Sequence, residues 1–143
     1  MNRQEFLISR SVKHKLIRWA TISSKEIAFV CAGKENRITK VRRIRNTACP
    51  PFDPRAYIFW NLRELAFVRG ELKKVGLKIL MEGHSHPGKC HPPHPSQIDV
   101  DWMKTGHLEM IVCPHARHKV TAWRIRKSHQ ATLRKGKIHL IEF

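Results

Sequence analysis

Apolar residues recur at helical spacing near the start of the chain, at positions 8, 12, 16 and 20, with basic residues between them. This period predicts a helix over residues 8–20 with a cationic outer face. Residues 27–32 form a continuous apolar run closed by Gly33, which is typical of a buried strand. In residues 37–44 the apolar positions are three apart, so periodicity alone leaves helix and strand open. Their β-branched content and the preceding turn favour a second strand paired to the first.

The remaining pattern alternates between helices and strands. Asp53-Pro54 predicts a helix start, because Asp caps free amides and Pro has no amide to lose at the first helical position. Apolar residues at helical spacing carry this helix to about Lys74, and Ser96 opens a short helix that ends near Gly106. Four of the eight prolines fall in residues 87–95, which predicts a loop. Strands are predicted at 77–81, 108–112, 119–125 and 138–141. The order predicts an α/β fold, with one domain over residues 1–143 and a mixed central β-sheet flanked by helices.

The net charge of +17 is concentrated at the two ends of the chain. Residues 1–50 hold 12 Lys and Arg against 3 acidic residues, and residues 101–143 hold 9 against 3, whereas residues 51–100 hold 7 against 5. Such a field attracts polyanions, including nucleic acid, and acidic proteins. No nucleic-acid motif and no basic stripe interleaved with aromatic residues accompanies it. The charge therefore bears on partners and leaves the reaction open.

The chain has no apolar run near the ~20 residues that a membrane span needs, so no membrane partner is expected. Its first residues lack the basic-then-apolar layout of a secretory signal. The four cysteines are scattered without a CxxC pair, which does not indicate a disulfide framework. Reduced thiols in a cytoplasmic setting are the expectation.

The candidate chemistry lies around His84 and His86, which share one face of a strand because side chains alternate along it. Two imidazoles so placed suit a borderline-soft cation, and Asp99 from the next helix supplies a third ligand. Three protein ligands with an open fourth position are the arrangement of a catalytic zinc.

Two plainer interpretations stay open at this point. A His- and Pro-rich loop can be ordinary surface or bind metal adventitiously, and Ser96-x-x-Asp99 is also a helix-capping pattern. A cap would itself hold Asp99 in place, so the capping and metal interpretations are compatible. Cys90, His91 and His94 suggest a second metal site, although no regular ligand spacing supports it.

The segment His84-Ser85-His86-Pro87 followed by Pro95-Ser96-x-x-Asp99 resembles the signature of the JAMM (MPN+/JAB) zinc metallopeptidases. Glu26 stands seven positions before Gly33, as a Glu does in the family's first strand, and Ile44-Arg45-Asn46 resembles its strand exit. The similarity covers about residues 8–126 and looks closest to small prokaryotic or phage-like forms. It implies a cytidine-deaminase-like JAB/MPN domain.

The resemblance also implies the roles of the site residues. His84, His86 and Asp99 would hold zinc, Glu26 would move the proton, and Ser96 would polarise the oxyanion of the tetrahedral intermediate. Glu82 is the competitor of Glu26, because it shares the strand face of the two histidines.

The chain departs from the family pattern in two places. Its loop between His86 and Ser96 is two residues longer than usual, which costs little closure entropy. Phe29 replaces a glycine of the first strand, which predicts a reshaped core or a narrower approach to the site.

The resemblance implies hydrolysis of a peptide or isopeptide bond, with a ubiquitin-like or other protein tail as substrate. The positive charge would suit an acidic substrate. The alternative is a catalytically silent MPN-type scaffold or a basic nucleic-acid-binding module.

Overall fold

Nine elements follow one another in the computed structural model, which describes residues 4–55, 58–88, 93–96, 103, 106–127 and 133–143. In chain order they are β1 (Glu5–Ile8), α1 (Arg10–Ile22), β2 (Ala28–Lys34), β3 (Arg37–Ile44), α2 (Leu62–Lys74), β4 (Lys78–Ser85), β5 (Leu108–Val112), β6 (Val120–Lys127) and β7 (Leu133–Glu142). None of the helices in these ranges combines the length and the apolar character that crossing a membrane requires.

The seven strands form one mixed sheet that closes into a barrel in the order β1-β3-β2-β4-β5-β6-β7. β1 closes it by pairing in parallel with both β3 and β7. β4 and β5 are also parallel, and the other neighbours are antiparallel. The predicted α/β fold with a mixed sheet is confirmed, whereas the closure by β1 was not predicted.

β2 is buried on both faces, which explains its continuous apolar run. Phe29 and Cys31 belong to the larger core cluster, which also contains the apolar stripe of α1. Ala28 and Val30 face the smaller cluster, to which α2 contributes Val68 and Leu72. β2 therefore lies between the two helices and begins two residues after Glu26.

α1 follows the predicted helical period closely. Ser9 caps it, with its Oγ accepting a hydrogen bond from Val12 N at 3.3 Å. Val12, Leu16 and Ala20 are buried in a core cluster to which all seven strands contribute. Complete burial of Leu16 alone contributes about 1.5–3 kcal/mol. The predicted basic residues stay on the outer face.

The predicted start of the second helix at Asp53-Pro54 is wrong, because α2 begins at Leu62. Asn61 caps it by accepting from Glu64 N at 3.0 Å. Asp53 instead accepts from Arg55 N at 2.9 Å. The carbonyl of Pro54 accepts from Glu26 N at 2.9 Å, so it is not available to a helix starting there.

Two other expectations can be compared with the structure only in part. The short helix predicted from Ser96 lies mostly outside the described residues. Among the cysteines that are described, Cys31 and Cys113 are buried, Cys49 is exposed, and none forms a disulfide. Burial raises the pKa of the Cys31 thiol, which agrees with its predicted place in an apolar strand.

Candidate metal centre

The end of β4 brings His84 and His86 together. Their Nε2 atoms are 3.1 Å apart, and the two side chains are almost completely buried. Ser85 points the other way, as alternation along a strand requires. The backbone N of His86 donates to Val112 O at 2.9 Å, which holds the strand end against β5. The predicted pairing of these imidazoles is therefore present in the folded chain.

Glu26 lies near the two histidines because Ser85, between them, hydrogen-bonds to the backbone of Ile27, the residue after Glu26. Ser85 N donates to Ile27 O at 3.0 Å, and Ser85 Oγ accepts from Ile27 N at 2.9 Å. Glu26 is 5% exposed, and one carboxylate oxygen lies within 4.8 Å of one ring nitrogen of each histidine. The group combines one carboxylate and two imidazoles in a buried place.

Asn46 supports the backbone of Glu26 from the other side. Its Nδ2 donates to Glu26 O at 3.2 Å. Its Oδ1 accepts from Ala48 N at 3.0 Å and from Phe59 N at 3.1 Å. Asn46 is the residue that resembled the family's strand exit, and here it connects the segment after β3 to the candidate site.

Glu109 of β5 orients the first histidine. Its Oε1 is 2.6 Å from His84 Nδ1, and its Oε2 is 2.6 Å from His107 Nε2. Burial raises the pKa of Glu109, but hydrogen bonds from His107 and His84 outweigh it, so the pKa lies below its ordinary value. An ionised carboxylate can only accept, so the proton of neutral His84 sits on Nδ1 and Nε2 keeps a lone pair.

This tautomer makes the site suitable for a cation. His84 Nε2 lies 3.1 Å from His86 Nε2, and a carboxylate oxygen of Glu26 lies within 4.8 Å of a ring nitrogen of each histidine. Imidazole nitrogen and carboxylate oxygen are the donors that zinc takes in catalytic sites. The donor set therefore fits a borderline-soft divalent cation.

A second group lies behind the first and consists of Glu82, His107 and Glu109. His107 Nε2 is 3.7 Å from Glu82 Oε2. The hydrogen bond to Glu109 raises the pKa of His107 above its ordinary value. Burial, and then the charge of Glu109, raises the pKa of Glu82. Glu82, the sequence competitor of Glu26, thus belongs to this second group.

The predicted ligand Asp99 lies outside the described residues, as do Cys90 and His91. Ser96 is described and is half-buried. The imidazole Nδ1 of His94 is 3.0 Å from Pro95 O. The predictions for Asp99 as a ligand and for Ser96 as an oxyanion donor stay predictions.

Phe29, which replaces a glycine of the family pattern, is matched by Gly83. A Cβ at Gly83 would lie 2.4 Å from the Cε2 and Cζ atoms of Phe29 and 2.7 Å from Met110 O. The ring therefore occupies the space beside the backbone that leads into His84. That this substitution reshapes the core or narrows the approach to the site stays a prediction.

Sequence reasoning missed Glu109 and His107. The signal was present, because Glu109 is an acidic residue within the apolar strand Leu108–Val112. Carboxylates are almost never fully buried unless they are paired. A Glu within an apolar strand therefore needed a partner.

Comparison with known proteins gives a family match and several similar folds. Residues 9–126 match the family described as prokaryotic homologues of the JAB domain. A protein from Desulfitobacterium hafniense has a similar structure, with a TM-score of 0.78, 16% identity, and coverage of 96% of this chain and 92% of that one. A JAB1/MPN domain protein from Archaeoglobus fulgidus also has a similar structure. Its TM-score is 0.58 at 16% identity, with coverage of 96% of this chain and 100% of that one.

A further similar structure is described as JAMM, a metalloprotease-like zinc site in the proteasome and signalosome. Its TM-score is 0.50 at 14% identity, with coverage of 97% of this chain and 100% of that one. At these identities the likenesses show the fold alone. A search of curated proteins found no match.

Proposed function

The chain belongs to the family of prokaryotic homologues of the JAB domain, and we propose that it is a zinc-dependent peptidase that hydrolyses a peptide or isopeptide bond. The observation that carries the proposal is the buried convergence of Glu26, His84 and His86. Burying three such groups together is costly, and such clusters are concentrated at functional sites.

His84 and His86 would hold the metal through their Nε2 atoms, with Asp99 as the expected third ligand. When bound, the cation would activate a water molecule and polarise the substrate carbonyl. Glu109 keeps His84 in the required tautomer. These roles need no rearrangement of the two histidines.

Glu26 is the residue that moves the proton. Its carboxylate accepts a proton from the attacking water as the C–O bond forms, and returns it to the leaving nitrogen as the C–N bond breaks. Its backbone is held by Asn46, Pro54 and the Ser85–Ile27 contacts, so the carboxylate approaches from a fixed direction. Ser96 would donate to the oxyanion.

The substrate is a protein with an extended tail, ubiquitin-like or of another kind. Glu26, His84 and His86 are only 5%, 3% and 2% exposed. A folded surface cannot bring a peptide bond to such buried groups, whereas an extended segment can enter.

The test is an activity assay on fusions joined through a Gly-Gly linker, paired with measurement of zinc by mass spectrometry. We expect about one zinc per chain and cleavage by the wild-type protein. Glu26→Gln should keep the zinc and lose activity by about 10²–10⁴-fold. Glu82→Gln is the matched control and should remain active. Normal turnover by Glu26→Gln would remove the role assigned to Glu26.

The same material tests the alternative. A chain without zinc that binds RNA or DNA tightly, with strong salt dependence, would be a basic binding module instead of a peptidase.

A further inference from the structure

The positive charge of the chain is concentrated on two neighbouring elements. α1 contains four Lys and Arg and no acidic residue, and β3 has the same composition. Both contribute to one core cluster, through Leu16 of α1 and Val41 of β3 among others. The two elements are therefore packed against the same core.

Part of this charge is neutralised within the fold. Arg10 and Lys13 both contact Glu142, at 2.9 and 3.1 Å, and Arg42 lies 2.8 Å from Glu71. Within the described ranges no carboxylate forms an ion pair with Arg18 or Lys40, both of which are exposed. The unpaired charge thus faces solvent between the two elements.

A groove of about 540 Å³ separates α1 from β3. Lys15, Arg18, Lys40 and Arg42 line it, and Val41 contributes an apolar side chain. Lys15 Nζ lies 5.5 Å from the centre of the Trp19 ring. Lys15, Arg18 and Lys40, which have no ion-pair partner among the described residues, are suited to an anionic ligand.

The groove follows an open strand edge. β1 pairs with β3 only at Arg37 and Ile38, and no other strand in the described part of the chain pairs with that edge of β3 beyond them. An unpaired edge offers backbone groups to an incoming extended segment. About six residues of such a segment would span Lys40 to Arg45, at roughly 3.3 Å per residue.

A second groove is lined by the next residues of β3 and by Glu26 of the candidate site. It has a volume of about 380 Å³, and its charged lining residues are Lys25, Arg43 and Arg45 with Glu26 and Glu64. Arg43 follows Arg42 of the first groove along β3. Basic residues therefore continue along β3 to a groove that Glu26 also lines.

We propose that the groove between α1 and the open edge of β3 binds an acidic, extended segment of the substrate protein and leads it to Glu26. The inference rests on the proposed peptidase function, for which it specifies the substrate class. The lining favours a peptide over nucleic acid, because none of the described residues lining either groove is Phe, Tyr or Trp. Single-stranded nucleic acids are usually held by stacking on such rings.

The test measures binding without catalysis, using full-length protein treated with EDTA. Fluorescence anisotropy follows a labelled peptide of alternating Glu and Ser, a Gln-Ser peptide of equal length, and a single-stranded RNA. Arg18→Glu combined with Lys40→Glu changes the groove. Lys78→Glu combined with Lys137→Glu is the control, because these exposed residues lie outside both grooves and the net charge changes equally.

We expect the acidic peptide to bind and the Gln-Ser peptide to bind at least about tenfold more weakly. The groove pair should weaken acidic-peptide binding about tenfold, and the control pair less than about twofold. Lys15→Glu alone should weaken it in the same direction. Equal losses in both pairs, or tighter groove-dependent binding of RNA, would overturn the proposal. Absence of zinc or of hydrolysis would remove the peptidase function and leave this binding result intact.

Discussion

Replacing Glu109 by Ala tests how the candidate metal centre is oriented. The substitution removes two 2.6 Å contacts, to His84 Nδ1 and to His107 Nε2. The side chain of His84 is only 4% exposed, so its unpaired N–H carries a cost of about 1–3 kcal/mol. The side chain of His107 is 24% exposed and can bond to water instead, so losing its contact with Glu109 costs less.

The effect on metal binding follows from the tautomer. Without Glu109, neutral His84 can place its proton on Nε2, the atom that faces His86. Losing such an outer partner lowers metal affinity by about 10–100-fold. This corresponds to about 1.4–2.8 kcal/mol of binding free energy. Glu109→Gln should lie between wild type and Ala, because its amide oxygen can still accept from His84.

Competition with a chromophoric chelator measures the zinc affinity of each variant, and urea unfolding in EDTA measures the free energy of unfolding. Glu5→Ala removes a half-exposed carboxylate from β1, which contains none of the candidate site residues. It is the control and should leave zinc affinity unchanged. Zinc binding by Glu109→Ala as tight as wild type would refute the orienting role.

Three further substitutions have defined consequences. Gly83→Ala places a Cβ 2.4 Å from the Phe29 ring and should lower the free energy of unfolding by about 1–3 kcal/mol. Gly70→Ala adds its Cβ at an open helical site and should raise the free energy of unfolding by about 0.5–1 kcal/mol. Urea titration of both variants checks these two changes. Ser85→Ala leaves the buried amide of Ile27 without its side-chain acceptor and should cost about 1–3 kcal/mol in the same titration. The metal-free protein should lose stability as pH rises above about 6.5, because the raised pKa of His107 keeps it protonated in the folded state, and His107→Gln should flatten that slope.

Each of these expectations has a contrary result. Equal unfolding midpoints for Gly83→Ala and Gly70→Ala would show that Phe29 moves aside without cost. An unchanged free energy for Ser85→Ala would show that water replaces its Oγ. An identical slope above pH 6.5 in wild type and His107→Gln would show that His107 is not the group that titrates.

The sequence was sufficient for the parts of the site that depend on local geometry. His84 and His86 alternate along one strand end, so their spacing alone places them on one face. The double burial of β2 could be inferred from its unbroken apolar run. The helical period of α1 likewise matches the buried stripe through Leu16.

What the sequence did not indicate depends on long-range contacts. The start of α2 was misassigned because the carbonyl of Pro54 bonds to Glu26, a partner 28 positions away along the printed sequence. β1 is only four residues long, and its pairing with β7 joins the two ends of the chain. Glu109 becomes meaningful only when β4 and β5 are known to be neighbours. Periodicity contains no information on such pairings.

The most direct test of the account is to locate the metal. Crystals of the protein grown with zinc should show one anomalous peak at the zinc absorption edge, about 2.0–2.1 Å from the Nε2 atoms of both His84 and His86. Glu26 should lie near that peak, and Glu109 should remain bonded to His84 Nδ1. A zinc ion bound elsewhere, or no anomalous peak beside these two histidines in crystals grown with excess zinc, would contradict the account.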